Sequence, residues 1–251
     1  LQHNQGYPGN NILRLGNGTL VFGLSHANAP GDPDNDKRPW RMGSILLLGN
    51  WNAQKQDYEW TPGARVEVSP EQSARGLLEP EVAELKDGRL LVVWRTSTHG
   101  WDGSVAKIPG RKFFSISTDG GRTFRVVSDS LTRCYGHRAT ILWTKQNAVV
   151  VTRQHGCETP AERSALGHSG GWLVVNISTD GGQTWVADGG AATKAFNKAR
   201  EFTLVPPRVG HSFTAPTVEL APNHFLTVYA AGPDTKASTT IKGVRWHLDH
   251  N

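Results

Sequence analysis

Cysteine and methionine are nearly missing from this 251-residue chain, with two and one respectively. A disulfide-stapled scaffold is therefore excluded, because such folds carry several bridges in a short chain. No apolar stretch approaches the ~18 residues of a membrane-spanning helix, which argues against a membrane partner. No secretory signal is visible, and the chain opens on Leu1 without methionine, as a processed or trimmed chain does. Basic residues outnumber acidic ones, 27 to 22, for a net charge of +5. They are scattered, with no run of five or six, so a nucleic-acid partner is not indicated. No His-x-His or H-E-x-x-H spacing occurs, and neither a metal site nor another cofactor is expected. Sustained i, i+3, i+4 apolar stripes are also lacking, and the best helical candidate, residues 191–200, is short and polar.

What is present in quantity is glycine (28) and tryptophan (9), a profile of turn-rich, all-β proteins. Read from turn to turn, the chain repeats one unit. A short apolar strand runs into a tight turn, a second apolar strand and a loop follow, and a third strand ends in another turn. Gly18, Gly88, Asn147 and Asn223 mark the first turn of the four copies. Two-residue type I′ hairpins, with positive φ at both central positions, are the expected form. In the first copy "DYEWTPG" stands in the place of the second turn. The units fall at about 9–75, 76–132, 133–205 and 206–251 of a single domain. Four four-stranded antiparallel units in series read as blades of a β-propeller. Crossover helices, which a doubly wound α/β fold requires, are missing.

"STDGGRTF" (117–124) and "STDGGQTW" (178–185) close two of these units. Asp119 and Asp180 are read as turn-builders that accept backbone N–H bonds, with paired glycines in left-handed conformations and Phe124 or Trp185 pinning the turn. The pattern resembles the Asp-box of the sialidase-like, or BNR-repeat, superfamily. "EPEVAELKDGRLLVVWR" is similar to the sialidase blade Glu-Cys-Gln-Val-x-Glu-Leu, turn, Leu-Leu-Leu-Asn-x-Arg. That resemblance puts Glu79 on the glutamate that activates the nucleophile and Arg95 on an arginine of the carboxylate-binding triad. It also implies a six-bladed pattern of which four blades are visible here, so either the two N-terminal blades are absent or the propeller closes differently. Phe213 stands where the sialidase nucleophile tyrosine belongs, and a phenyl ring cannot attack an anomeric carbon, so a standard sialidase is not expected.

In propellers the mouth is lined by the start of each blade's first strand and the end of its second. That rule selects Glu79, Glu81, Arg95 and His99, then His137, Arg138, Arg153 and His155, then His211 and Phe213, with His26 at the matching place in the first unit. Arg111 is a weaker addition. Arginines and histidines at such a rim suit an anionic or polyhydroxylated carbohydrate. The leading expectation is a carbohydrate-active hydrolase cleaving a glycosidic bond. Glu79, Glu81 and His137 are its catalytic candidates, and Arg95, Arg138, Arg153, His99, His155, His211 and Arg111 its substrate contacts. Glu81, two positions on, is expected on the same strand face as Glu79. A polysaccharide lyase would instead use the histidines and Tyr135 on a uronate. A non-catalytic propeller would stack sugars on Trp40, Trp51 or Trp101. If Thr144 opposes Asn147 in the third hairpin, Cys134 falls opposite Cys157, within disulfide reach. Such a bridge, with the family resemblance, implies a secreted or periplasmic protein.

Overall fold

The structure is a computed structural model describing residues 6–27, 42–97, 111–131, 138–155, 171–186, 192–193, 202–208, 211–212, 215–231 and 240–248. Every regular element among them is a β-strand. The chain divides into two compact units, Leu1–Asp129 and Ser130–Asn251.

The first unit holds two antiparallel sheets of four strands each. One runs β1 (Gly6–Arg14), β2 (Leu20–Ala27), β3 (Met42–Asn52) and β4 (Asp57–Pro62). The other runs β5 (Leu78–Glu84), β6 (Leu90–Arg95), β7 (Arg111–Ser117) and β8 (Arg125–Leu131). Strand β6 is an unbroken apolar run because it is covered on both faces. Leu90, Val92 and Trp94 pack on Leu46 and Leu48 of β3, and Trp94 is fully buried. The Trp94 indole Nε1 donates to Ser115 Oγ at 2.9 Å.

In the second unit one sheet has the order β14 (Phe202–Arg208), β11 (Gly171–Ser178), β10 (Val149–His155), β9 (Ala139–Trp143). A short pair, β12 (Trp185–Val186) and β13 (Ala192–Thr193), lies beside it. Ala192 and Thr193 are thus extended rather than helical. The last sheet centres on β17 (His224–Ala231), flanked by β15 (His211–Ser212) and β16 (Thr217–Ala221) on one path and by β18 (Thr240–His247). A chain of threonines joins the two sheets: Thr152 Oγ1 lies 2.7 Å from Thr217 Oγ1, which lies 2.8 Å from Thr227 Oγ1.

All four marked hairpin turns carry a left-handed residue where expected: Gly18 (φ 89°), Gly88 (φ 80°), Asn147 (φ 60°) and Asn223 (φ 62°). Three of them are not two-residue turns. Leu15 N–H donates to Thr19 C=O and Gly18 N–H back to Leu15 C=O, and the same pair of bonds recurs at Leu85/Arg89 and Thr144/Ala148. A three-residue loop of this kind needs positive φ only at its last position, which glycine or asparagine supplies. The extra residue moves the register by one. Thr144 is bonded to Ala148, and Ala139 opposes Arg153. Extended outward, this pairing no longer sets Cys134 opposite Cys157, and a one-residue slip sends side chains to opposite faces. Both cysteines lie outside the described residues.

The first sheet's second turn is not in "DYEWTPG", which is β4 itself. It lies between Asn52 and Asp57, where Asn52 Oδ1 accepts from the N–H groups of Gln54 and Lys55 at 2.9 and 3.1 Å. The two Asp-Gly-Gly turns do the same with a carboxylate. Asp119 Oδ1 accepts from Arg122 and Thr123 N–H and from Ser117 Oγ, while Thr123 Oγ1 donates to Oδ2 at 2.6 Å. Asp180 repeats every one of these bonds with Gln183, Thr184 and Ser178. Phe124 meets Trp94 edge-on at 5.9 Å, and Trp185 is fully buried.

Burial alone would raise the Asp119 carboxyl, but the hydrogen bonds from Thr123, Ser117 and Arg122 outweigh it and hold it down to about 2. Asp180 is lowered by the same balance of burial against its hydrogen bonds. A carboxylate depressed in the folded state contributes stability above its ordinary pKa and loses it on acidification. Between pH 3.8 and about 2, the melting temperature should therefore fall more steeply than in Asp119→Asn, whose amide no longer titrates. Melting curves of both proteins across that window check it. Parallel curves would show that the turn carboxylate does not contribute.

Candidate functional site

The site forms where β5 begins and β6 ends. Leu78 pairs with Arg95, but the next paired residue on β5 is Glu81, opposite Val93. One more residue on β5 than on β6 means a bulge, and Glu79 sits in it with φ 43°. A left-handed glutamate is uncommon, and Pro80 behind it further restricts its backbone. Such strain, of order 1–3 kcal/mol, persists only where surrounding structure holds it, and bulges beside binding sites re-aim side chains.

Neighbouring groups supply that hold. Glu79 N–H donates to the buried Ser25 Oγ at 3.1 Å, and Ser44 Oγ beside it donates to Leu77 C=O at 3.1 Å. The Pro80 carbonyl lies so close to β1 and β2 that a Cβ on Gly9 or Gly23 would come within 2.3 or 2.7 Å of it. Only glycine permits that approach of backbone to backbone. The first sheet thus fixes the bulge of the second.

Arg95 Nη1 donates to both Glu79 oxygens, at 2.7 and 2.8 Å. The carboxylate side chain is 8% exposed and the arginine 25%. Arg95 Nε is buried with no hydrogen-bond partner among the described residues. One guanidinium nitrogen therefore holds the carboxylate, and the rest of the planar fork retains donors for an incoming oxygen.

The bulge interrupts the strand alternation between Glu79 and Glu81. Register places Glu81 on the face of Val93 and Arg95, where it is buried, and Arg95 also holds the Glu79 carboxylate. Lys112, opposite Arg95 on β7, has no exposed surface and shares that face. Two acids and two bases thus gather at one end of one sheet. Lys112 escaped sequence reasoning, although it follows Arg111 directly. The signal is its cross-strand position from Arg95, visible once the β6–β7 register is known.

The other candidates are placed each within its own sheet. Arg153 is fully buried on β10, and its Nε donates to Asn176 Oδ1 at 3.2 Å, tying β10 to β11. Arg138, half-buried, precedes β9. His155 ends β10, His211 opens β15 opposite Ala231, and Arg111 opens β7. His26, on β2, lies within 3.1 Å of Arg65 Nη1 through either ring nitrogen. Ser25 and His26 are consecutive on an extended strand, so they point to opposite faces. His99, His137, Phe213, Tyr135, Trp40 and Trp101 lie outside the described residues. No helix among the described residues is long and apolar enough to cross a membrane, and no group of three metal-ligating side chains occurs among them.

No protein-family model and no curated protein matches the chain. Among solved structures it is similar to a polysaccharide lyase, a PL25 ulvan lyase bound to a glucuronate–sulfated rhamnose unit. Identity there is 12% and the TM-score 0.58, with 95% of this chain and 55% of the lyase covered. It is similar also to the α-L-arabinanase of Cellvibrio cellulosa complexed with arabinohexaose, at 14% identity and a TM-score of 0.58, with 96% and 73% covered. The GH93 α-L-arabinofuranosidase of Fusarium graminearum with arabinobiose matches at 15% and 0.55, with 97% and 62% covered. The chain spans about half the length of the first solved structures it matches. At these identities the likeness is one of fold, and these are β-propeller enzymes that process glycans.

Proposed function

We propose that the chain is a β-propeller glycoside hydrolase of the sialidase-like type, acting on an acidic or polyhydroxylated glycan. The four sheets are its consecutive blades, and a secreted or periplasmic location follows from such a substrate. Glu79 is the catalytic carboxylate and Arg95 the substrate-holding arginine. The observation that carries this reading is the left-handed Glu79 in a bulge, buried and aimed at a guanidinium that keeps unused donors. Strain of that kind has no role in a simple structural ion pair, which would form equally well from a regular strand. Glu81 is the nearest second carboxylate, as glycoside hydrolysis normally needs a pair.

A lyase is the second reading, favoured by Arg95, whose unused donors would neutralise a uronate carboxylate. Product chemistry separates the two. The chain is incubated with acidic and neutral polysaccharides, and reducing ends are read together with the absorbance of unsaturated uronates. Reducing ends without that absorbance are expected. Absorbance rising with the reducing ends would replace hydrolysis by elimination. No product from any polysaccharide would overturn the enzyme reading in favour of a binding propeller.

A further inference from the structure

At the other end of the first sheet, away from Glu79, the β1–β2 turn and the outer edge of β3–β4 enclose a second concavity. Its volume is about 560 Å³, and it is lined by Arg14, Asn17, Thr19, Asn50, Trp51 and Tyr58. We propose that this is a separate, non-catalytic binding subsite for an anionic sugar residue. It goes beyond the proposed reaction, since it needs neither Glu79 nor turnover.

Aromatic rings provide the platform. Trp51 opposes Tyr58 on the neighbouring strand, and Gly49 opposes Trp60, so all three rings share one face. Trp51 and Trp60 are 52% and 44% exposed, which is a large apolar area to leave in water. The rings brace each other: Trp51 meets Tyr58 edge-on at 5.2 Å, and Tyr58 meets Trp60 at 6.3 Å. Trp60 also lies across Gly49, where an added Cβ would meet its ring at 3.0 Å. A braced, half-exposed indole presents a flat apolar face of the size of a pyranose ring.

Arg14 shares the face of the rings, since Arg14 opposes Leu20 and Leu20 opposes Gly49, while Asn17 and Thr19 border the hollow from the turn. Thr19 Oγ1 donates to Asn50 Oδ1 at 3.0 Å, and Asn17 Oδ1 accepts from Thr19 N–H at 3.0 Å. Those bonds fix both amides with their oxygens occupied. The Tyr58 hydroxyl and the Arg14 guanidinium have no hydrogen-bond partner among the described residues. An arginine fork and a phenolic hydroxyl beside an aromatic platform match a sugar carboxylate or sulfate ester with flanking ring hydroxyls. Charge complementarity selects an anionic glycan over an apolar partner for this face.

Calorimetric titration of the Glu79→Gln chain with oligogalacturonate and with a neutral arabino-oligosaccharide tests this. Oligogalacturonate should bind, with affinity falling at least tenfold in Trp51→Ala and in Arg14→Gln, and the neutral sugar should bind far more weakly. Equal affinity for both sugars would overturn the anionic assignment. Binding unchanged by Trp51→Ala and Arg14→Gln would place the ligand elsewhere and remove the subsite. A change in sedimentation on Trp51→Ala, without loss of sugar binding, would make this face a contact between copies of the chain. Because cleavage plays no part in the titration, failure of the hydrolase reading leaves the result interpretable.

Discussion

Under the proposed hydrolase reading, Glu79→Gln should lose about 10²–10⁴-fold in kcat, the usual contribution of one acid–base group. The substitution keeps the volume and an acceptor oxygen for Arg95, but its amide can neither carry a proton between reactants nor bear a negative charge. The fold should be retained, because the bulge is held by backbone contacts, namely Glu79 N–H to Ser25 and the Pro80 carbonyl against Gly9 and Gly23. Matching melting curves for variant and wild type would confirm that. Arg95→Gln serves as the companion. It should raise KM more than it lowers kcat if the guanidinium holds substrate through the donors that Glu79 does not occupy. Full activity in Glu79→Gln would remove the site altogether.

Trp94→Ala is expected to cost about 3–5 kcal/mol, the range for deleting a fully buried large aromatic side chain. Three separate losses converge there. The indole fills the space between the sheets of the first unit, its Nε1 bonds Ser115, and its ring receives Phe124 edge-on. Truncation leaves a cavity, an unpaired buried hydroxyl and an unanchored Asp-Gly-Gly turn. Urea unfolding of the wild type and Trp94→Ala measures the difference, and Trp94→Phe separates the hydrogen bond from the packing. A loss below 1 kcal/mol for Trp94→Ala would show that the first unit does not depend on this contact.

The sequence by itself determined whatever is local. Alternating apolar runs made the strands. Gly18, Gly88, Asn147 and Asn223 took the left-handed positions because few other residues enter that region without strain. Asp119 and Asp180 built the same turn twice, as their spacing from Ser117 and Ser178, two residues before each, required. The pairing of Glu79 with Arg95 was also legible, since both stand at the open end of one hairpin.

Tertiary structure decided the rest. Whether a turn has two residues or three depends on hydrogen bonds that the residue types alone leave undetermined, and that single residue shifted the third hairpin's register. Glu79 has no local reason to be left-handed before a proline. Its conformation is imposed by Ser25 and by two glycines more than fifty residues earlier in the chain. Lys112 entered the site only when β7 was laid beside β6, and the bulge at Glu79 appeared only when β5 was paired with β6. Strand alternation is a rule about neighbours along the chain. A catalytic geometry is set across strands, where the cost of strain at one residue is met by packing at many others.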